Sequence, residues 1–249
     1  MSSRPPGRRA NDVLASYYRC GDAMRGRSVG DAVLAGTVDI PAPPARLTAD
    51  WQREIGTRLE LEPGDVAPLP LARARMRWPD YRLCVQSVSG WLHAQGLHGL
   101  PGACDVALMA CRGARYHHDG AQYGAAAFCN LFLSEDKGLD LHFPFAGHRI
   151  PLARGTVVVF DTGQPHGVIP RHGRGFDAAD FAPDQDRIQV FLTWELPIAH
   201  PGIRQALQVR ELADSGDAQL PHEDQVLLNG AAAQLCPDTG RWCPEPRRP

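Results

Sequence analysis

Lysine is almost missing from this 249-residue chain: Lys137 stands alone, so 25 of the 26 basic residues are arginine. A bias of that kind reflects coding preference more than function. Net charge is also nearly absent. The 28 acidic residues leave a formal −2, which removes any general electrostatic drive toward nucleic acid or an anionic membrane surface. No apolar run approaches the ~18 residues needed to span a bilayer. The polar, Pro- and Gly-rich start carries no apolar stretch followed by a small-residue cleavage site, the mark of a secretory leader. The seven cysteines are odd in number and widely spaced, with no C-x-x-C pair. They read as reduced thiols of a cytoplasmic protein. At 43% hydrophobic and 22% charged residues the composition excludes global disorder, and the length is ample for a buried core.

The texture of the chain changes along its length. Residues 1–47 are rich in Arg, Pro and Gly and read as an extended or weakly ordered lead-in, with a short helix over Val13 to Tyr18. Residues 48–104 read as supporting helices: Trp51, Ile55 and Leu59 fall four apart on one face, and a second helix runs from Pro79 or Asp80 to about Gln95. From 105 to 196 short β-type runs alternate with Gly, Pro and Asp, as expected of an antiparallel sandwich or barrel. Residues 197–249 read as helical again, over Ile203–Asp214 and Gln225–Leu235, before a Pro-rich tail. One structural domain is expected overall.

What is plentiful is histidine in one place. Six of the ten (His117, His118, His142, His148, His166, His172) fall in the 56 residues from 117 to 172. His117-x-Asp119 puts an imidazole and a carboxylate on one side of an extended segment, because side chains alternate with period two. His166 arrives on a later strand. Two histidines and one carboxylate on one face of a metal leave open positions, a set diagnostic of non-haem Fe(II) oxygenases. The dipeptide spacing alone says little, since it occurs again at His222-Glu223-Asp224. Context separates the two: no later strand follows His222 to complete a ligand set.

The residues between the ligands carry more. Ala127–Pro144 is similar to a family pattern in which a strand ends in a short acidic turn before Gly-Gly-Glu-Thr-x-Phe-Pro. Ile150–Asp161 is similar to the basic-x-Gly, apolar strand and Phe that precede the distal histidine. The segment 105–196 therefore resembles the 2-oxoglutarate/Fe(II)-dependent dioxygenases, in their prolyl-hydroxylase-like branch. The resemblance implies a mainly β fold with flanking helices around a double-stranded β-helix, the cupin-like jelly-roll. It implies Fe(II) held by His117, Asp119 and His166, with 2-oxoglutarate and O2 as cosubstrates and ascorbate as a reductant. It also implies a basic residue at the start of the last core strand, pairing with the distal carboxylate of 2-oxoglutarate. Arg187 takes that position, although the family places the residue closer behind the distal histidine than 21 residues. Arg171 and Arg174 are the alternatives. Tyr116, Tyr123, Asn130 and Thr193 are candidates to contact the cosubstrate. Lys137 and the remaining histidines are expected to be bystanders.

The expected reaction is hydroxylation of an unactivated C–H bond, with release of succinate and CO2. Family members that halogenate have a small residue where this chain has Asp119. The expected substrate is an amino acid, a peptide-like metabolite or a protein residue. Nucleic acid is not expected: relatives that repair it carry a second arginine where this chain has Thr193. Oligomeric state stays open. A cupin-like metal- or ligand-binding protein without oxygenase activity is the alternative.

Overall fold

The computed structural model describes residues 12–182, 184–212 and 223–244. Three strands, β1 (Leu14–Cys20), β2 (Ala23–Ser28) and β3 (Leu34–Thr37), come first. They lead into α1 (Ala45–Glu54), which a π-helical turn continues to Leu59, then β4 (Val66–Leu69), α2 (Leu71–Arg77) and α3 (Tyr81–Ala94). The next eight strands are β5 (Val106–Cys111), β6 (Ala114–His117), β7 (Ala126–Phe132), β8 (Leu139–Phe143), β9 (His148–Pro151), β10 (Thr156–Asp161), β11 (His166–Pro170) and β12 (Gln189–Pro197). After them come α4 (Pro201–Ala206), β13 (Gln225–Leu228), β14 (Ala231–Leu235) and β15 (Trp242–Pro244).

All the strand pairs are antiparallel. One sheet has the order β3-β10-β7-β12-β5-β4, and a second has β6-β11-β8-β9. From β5 to β12 every connection crosses from one sheet to the other, except the β8–β9 hairpin. That winding is the double-stranded β-helix, or jelly-roll. Its strands alternate as the period of two requires. Val157 and Val159 of β10, Leu131 of β7, and Leu192 and Trp194 of β12 pack on the outer face of the larger sheet. There they meet Leu47 and Trp51 of α1 and Val88 and Leu92 of α3. The alternate residues Val158, Phe160, Phe132 and Phe191 fill the space between the two sheets.

Both ends of the chain depart from expectation. The lead-in is not loose from residue 12 onward: β1 and β2 form a hairpin, and β3 extends the larger sheet beside β10. Of the helix expected over Val13–Tyr18, the residues from Leu14 onward are strand β1. The Ile203–Asp214 helix shrinks to α4, and its last two residues lie outside the described region. Gln225–Leu235 is the β13–β14 hairpin. A third sheet, β15-β14-β13-β1-β2, thus joins the two ends, pairing Leu14 with Leu228. An isolated two-stranded hairpin is marginal in water, and each of these two hairpins finds its partner in the other, far away in sequence. The stretch Gly173–Asp186 is also more than a loop: Phe176 and Phe181 stack at 5.4 Å and are buried in the barrel core.

Candidate metal centre and its cavity

His117 ends β6, Asp119 follows in the turn, and His166 begins β11. β6 and β11 are neighbours, with His117 directly opposite His166. Their ring centroids are 4.5 Å apart. One potential ligand atom from each of His117, Asp119 and His166 lies within 4.8 Å of the other two. Nε2 of His117 is 3.8 Å from Oδ1 of Asp119, and Nε2 of His166 is 3.5 Å from Oδ2.

Both imidazoles are oriented by the backbone. Nδ1 of His117 donates to the Arg115 carbonyl at 2.7 Å, and Nδ1 of His166 donates to the Gln164 carbonyl at 3.0 Å. That fixes the tautomer and leaves each Nε2 lone pair facing the carboxylate, as in metal-ligating histidines. Phe160 and Phe143 flank the His166 ring at 4.8 and 5.9 Å. Burial keeps His166 neutral, well below the usual imidazole range, and the charge of His117 adds to this. Burial raises the Asp119 carboxyl, and the charges of His117 and His118 oppose that rise. Two imidazole Nε2 atoms and a carboxylate oxygen converge here, with no protein group of the described residues bonded between them. This donor set fits a divalent first-row metal such as Fe(II).

The two ligand-bearing turns are tied to each other. The Asp119 amide donates to the Thr162 carbonyl at 2.8 Å. The Thr162 hydroxyl lies 2.8 Å from the Tyr123 carbonyl and 2.9 Å from that of Ala126. Gly120 makes this approach possible, because a Cβ there would stand 2.9 Å from the Gly163 Cα.

A cavity of about 300 Å³ opens from the triad into the barrel. Among the cofactor-contact candidates, Tyr123, Asn130 and Thr193 line it, and Asn130 is directly opposite Thr193 across β7 and β12. Tyr116 does not. Its hydroxyl is hydrogen-bonded to Nδ1 of His142 at 2.5 Å. None of the three arginines lines the cavity. Arg187 donates to the Asp180 carbonyl, Arg171 is engaged by Asp136 and Asp140, and Arg174 is exposed. Arg187 fails because it precedes β12 and the long 173–186 connection holds it there. No lysine or arginine is among the described residues lining the cavity. The chelating end of a 2-oxo acid therefore has a metal site to meet, whereas the distal carboxylate of 2-oxoglutarate has no cation.

His118 and His142 are not surface residues either. His118 lies beside Trp242, with its Nδ1 buried and unpartnered. His142 is half-buried on β8. Phe128, Phe132, Phe160, Phe191 and Glu195 line the cavity without having been singled out in the sequence. Counting by twos from Asn130 and Thr193 along β7 and β12 reaches four of these five.

No protein-family profile matches the chain, and no curated protein does. Solved structures give distant likenesses. A Pseudomonas putida prolyl-4-hydroxylase shares 21% identity over 67% of this chain and 92% of its own, with a TM-score of 0.39. EvdO2 from Micromonospora carbonacea var. aurantiaca, complexed with 2-oxoglutarate, shares 16% over 76% and 89%, at 0.38. A collagen prolyl hydroxylase of Paramecium Bursaria Chlorella virus-1 shares 10% over 66% and 90%, also at 0.38. The jelly-roll assignment rests on the strand order itself. Among the described residues no helix is long and apolar enough to cross a membrane.

Proposed function

We propose that this protein is a mononuclear non-haem iron oxygenase, with His117, Asp119 and His166 as the metal ligands. It would act with a 2-oxo acid cosubstrate, 2-oxoglutarate being the one that the sequence resemblance implies. The carrying observation is the convergence of two backbone-oriented Nε2 atoms and the Asp119 carboxylate at the wall of a cavity that enters the barrel. When bound, iron and the 2-oxo acid would supply the oxidising chemistry, as cofactors do. The chain supplies the rest. The carbonyls of Arg115 and Gln164 hold the imidazoles in the ligating tautomer. The aromatic walls exclude water, and the side of the cavity near Tyr123 and Glu195 orients the substrate. The proposed reaction is hydroxylation of a C–H bond in an amino acid, a peptide-like metabolite or a protein residue, at a soluble, cytoplasmic site.

The test joins metal analysis to turnover. Purified protein reconstituted with Fe(II) and ascorbate should hold one iron per chain, and His166→Ala should not. With a panel of amino acids and peptides, hydroxylated product should form together with the decarboxylated cosubstrate. A protein that binds no iron at this site would overturn the reading. Stoichiometric iron without turnover on any panel member and any 2-oxo acid favours the cupin-like binding protein instead.

A further inference from the structure

We propose that the cosubstrate of this cavity is a 2-oxo acid with an uncharged, largely apolar tail, in place of the dicarboxylate 2-oxoglutarate. The inference rests on the reading of the triad as an iron centre and concerns what lies beneath it.

The pleat orders the inner wall in layers. On β12 the residues facing the cavity are Glu195, Thr193 and Phe191, and on β7 they are Phe128, Asn130 and Phe132. Phe132 and Phe191 stack at 5.2 Å and close the barrel below Asn130 and Thr193. Met109, Leu141 and Val168 complete an apolar floor. Gln189 continues the same face of β12 beyond the stacked rings, and Arg187 lies further still. The Arg187 guanidinium donates to the Asp180 carbonyl and does not line the cavity.

Next to the stacked rings the polar side chains facing inward, Asn130 and Thr193, are neutral. Asn130 is 7% exposed, and its Oδ1 is buried without a partner. The Thr193 hydroxyl opposite it is buried and unpartnered too. Buried polar atoms are normally satisfied, so an orphaned pair facing a cavity marks where a ligand's polar group belongs. An amide and a hydroxyl suit a hydroxyl or amide on that ligand. They supply no charge to offset a buried carboxylate, which is costly to desolvate without a cation.

Formal charge points the same way. A divalent metal and the Asp119 carboxylate leave one positive charge, which the carboxylate of a single 2-oxo acid group cancels. A second carboxylate would enter a site whose wall, among the described residues, adds the acidic Glu195 and no lysine or arginine.

The experiment measures binding, with no turnover required. Protein loaded anaerobically with Fe(II) is titrated with 2-oxoglutarate, 4-methyl-2-oxopentanoate, 2-oxo-3-phenylpropanoate and its 4-hydroxyphenyl analogue. Calorimetry and the visible charge-transfer band of the chelate are both followed. The acids with uncharged tails should bind at least about tenfold more tightly than 2-oxoglutarate. Thr193→Val should weaken the hydroxyphenyl acid and leave the phenyl acid unchanged. Phe191→Arg, which places a cation on the floor, should move the preference toward 2-oxoglutarate. The wild-type ranking stands as a test even where that variant does not fold. Equal or tighter binding of 2-oxoglutarate to the wild-type iron protein would overturn this inference and leave the iron reading intact. Failure to load iron would remove both.

Discussion

Arg27 and Asp161 form a buried bidentate ion pair beneath the candidate metal site. Arg27 Nη1 and Nη2 reach the two Asp161 oxygens at 2.5 and 2.9 Å, and the side chains are 2% and 0% exposed. The amides of Gly30 and Gly163 donate to the same carboxylate at 2.8 Å, and Arg27 Nε donates to the Gly124 carbonyl at 2.9 Å. Every polar atom of the pair is thereby engaged, and removing one partner leaves an uncompensated buried charge. Asp161→Ala should cost about 3–5 kcal/mol in denaturant unfolding, whereas Arg27→Met with Asp161→Leu should recover much of the loss. His142 acts through its proton instead. Burial, helped by Arg149 and opposed by Asp140, lowers it to about 4 from 6.5, so it is a neutral ring beside the Tyr116 hydroxyl. Between those values the unfolded chain binds the extra proton, and stability therefore falls as pH drops from about 6.5 toward 4. In urea titrations of metal-free protein, His142→Gln should flatten that slope. It should not abolish it, since burial lowers His118 and His166 in the same direction.

At the scale of elements, the core strands were readable because each carries its own signal. Thr156–Asp161 and Gln189–Pro197 are apolar runs bounded by turns, and their two faces are set by alternation. The clustering of His117, Asp119 and His166 was readable for the same reason, being a short-range pair plus one strand start. Distance in sequence defeated the rest. Gln225–Leu235 has helical spacing, yet Asn229-Gly230 inside it takes φ 53° and 79°, the positive pair of a tight hairpin turn. Its strand character depends on β1, more than two hundred residues away. Arg187 stands outside the cavity lining because spacing along a motif does not measure where the long 173–186 connection brings the head of a strand. The closeness of the two ligand turns, by contrast, rests on single glycines. Gly120→Ala should push a Cβ against Val226 and the Gly163 backbone, at 2.6 and 2.9 Å. Metal affinity should fall roughly 10–100-fold, as when the supports of a metal site are disturbed. Competition with a chromophoric chelator measures this, with circular dichroism confirming that the fold is kept.

Taken whole, the molecule places its least self-sufficient chemistry where three layers meet. The N-terminal hairpin supplies Arg27, the larger sheet supplies Asp161, and the smaller sheet supplies both histidines. A ligand at the triad therefore couples elements drawn from the start, middle and later part of the chain. Binding to the folded state alone adds RT ln(1 + [L]/Kd), or about 2.7 kcal/mol at a hundredfold excess over Kd. For a chain of this size that is worth roughly 5–10 °C in Tm. Anaerobic Fe(II), or Co(II) as an air-stable probe, should raise the melting temperature by that amount in the wild type. His166→Ala should melt near the metal-free protein and show no shift. An equal rise in the variant would mean that the metal acts elsewhere on the surface. The coupling also predicts which protein is hardest to rescue. Asp161→Ala loosens the turn that carries His166, so the metal should recover less stability in that background than in the wild type.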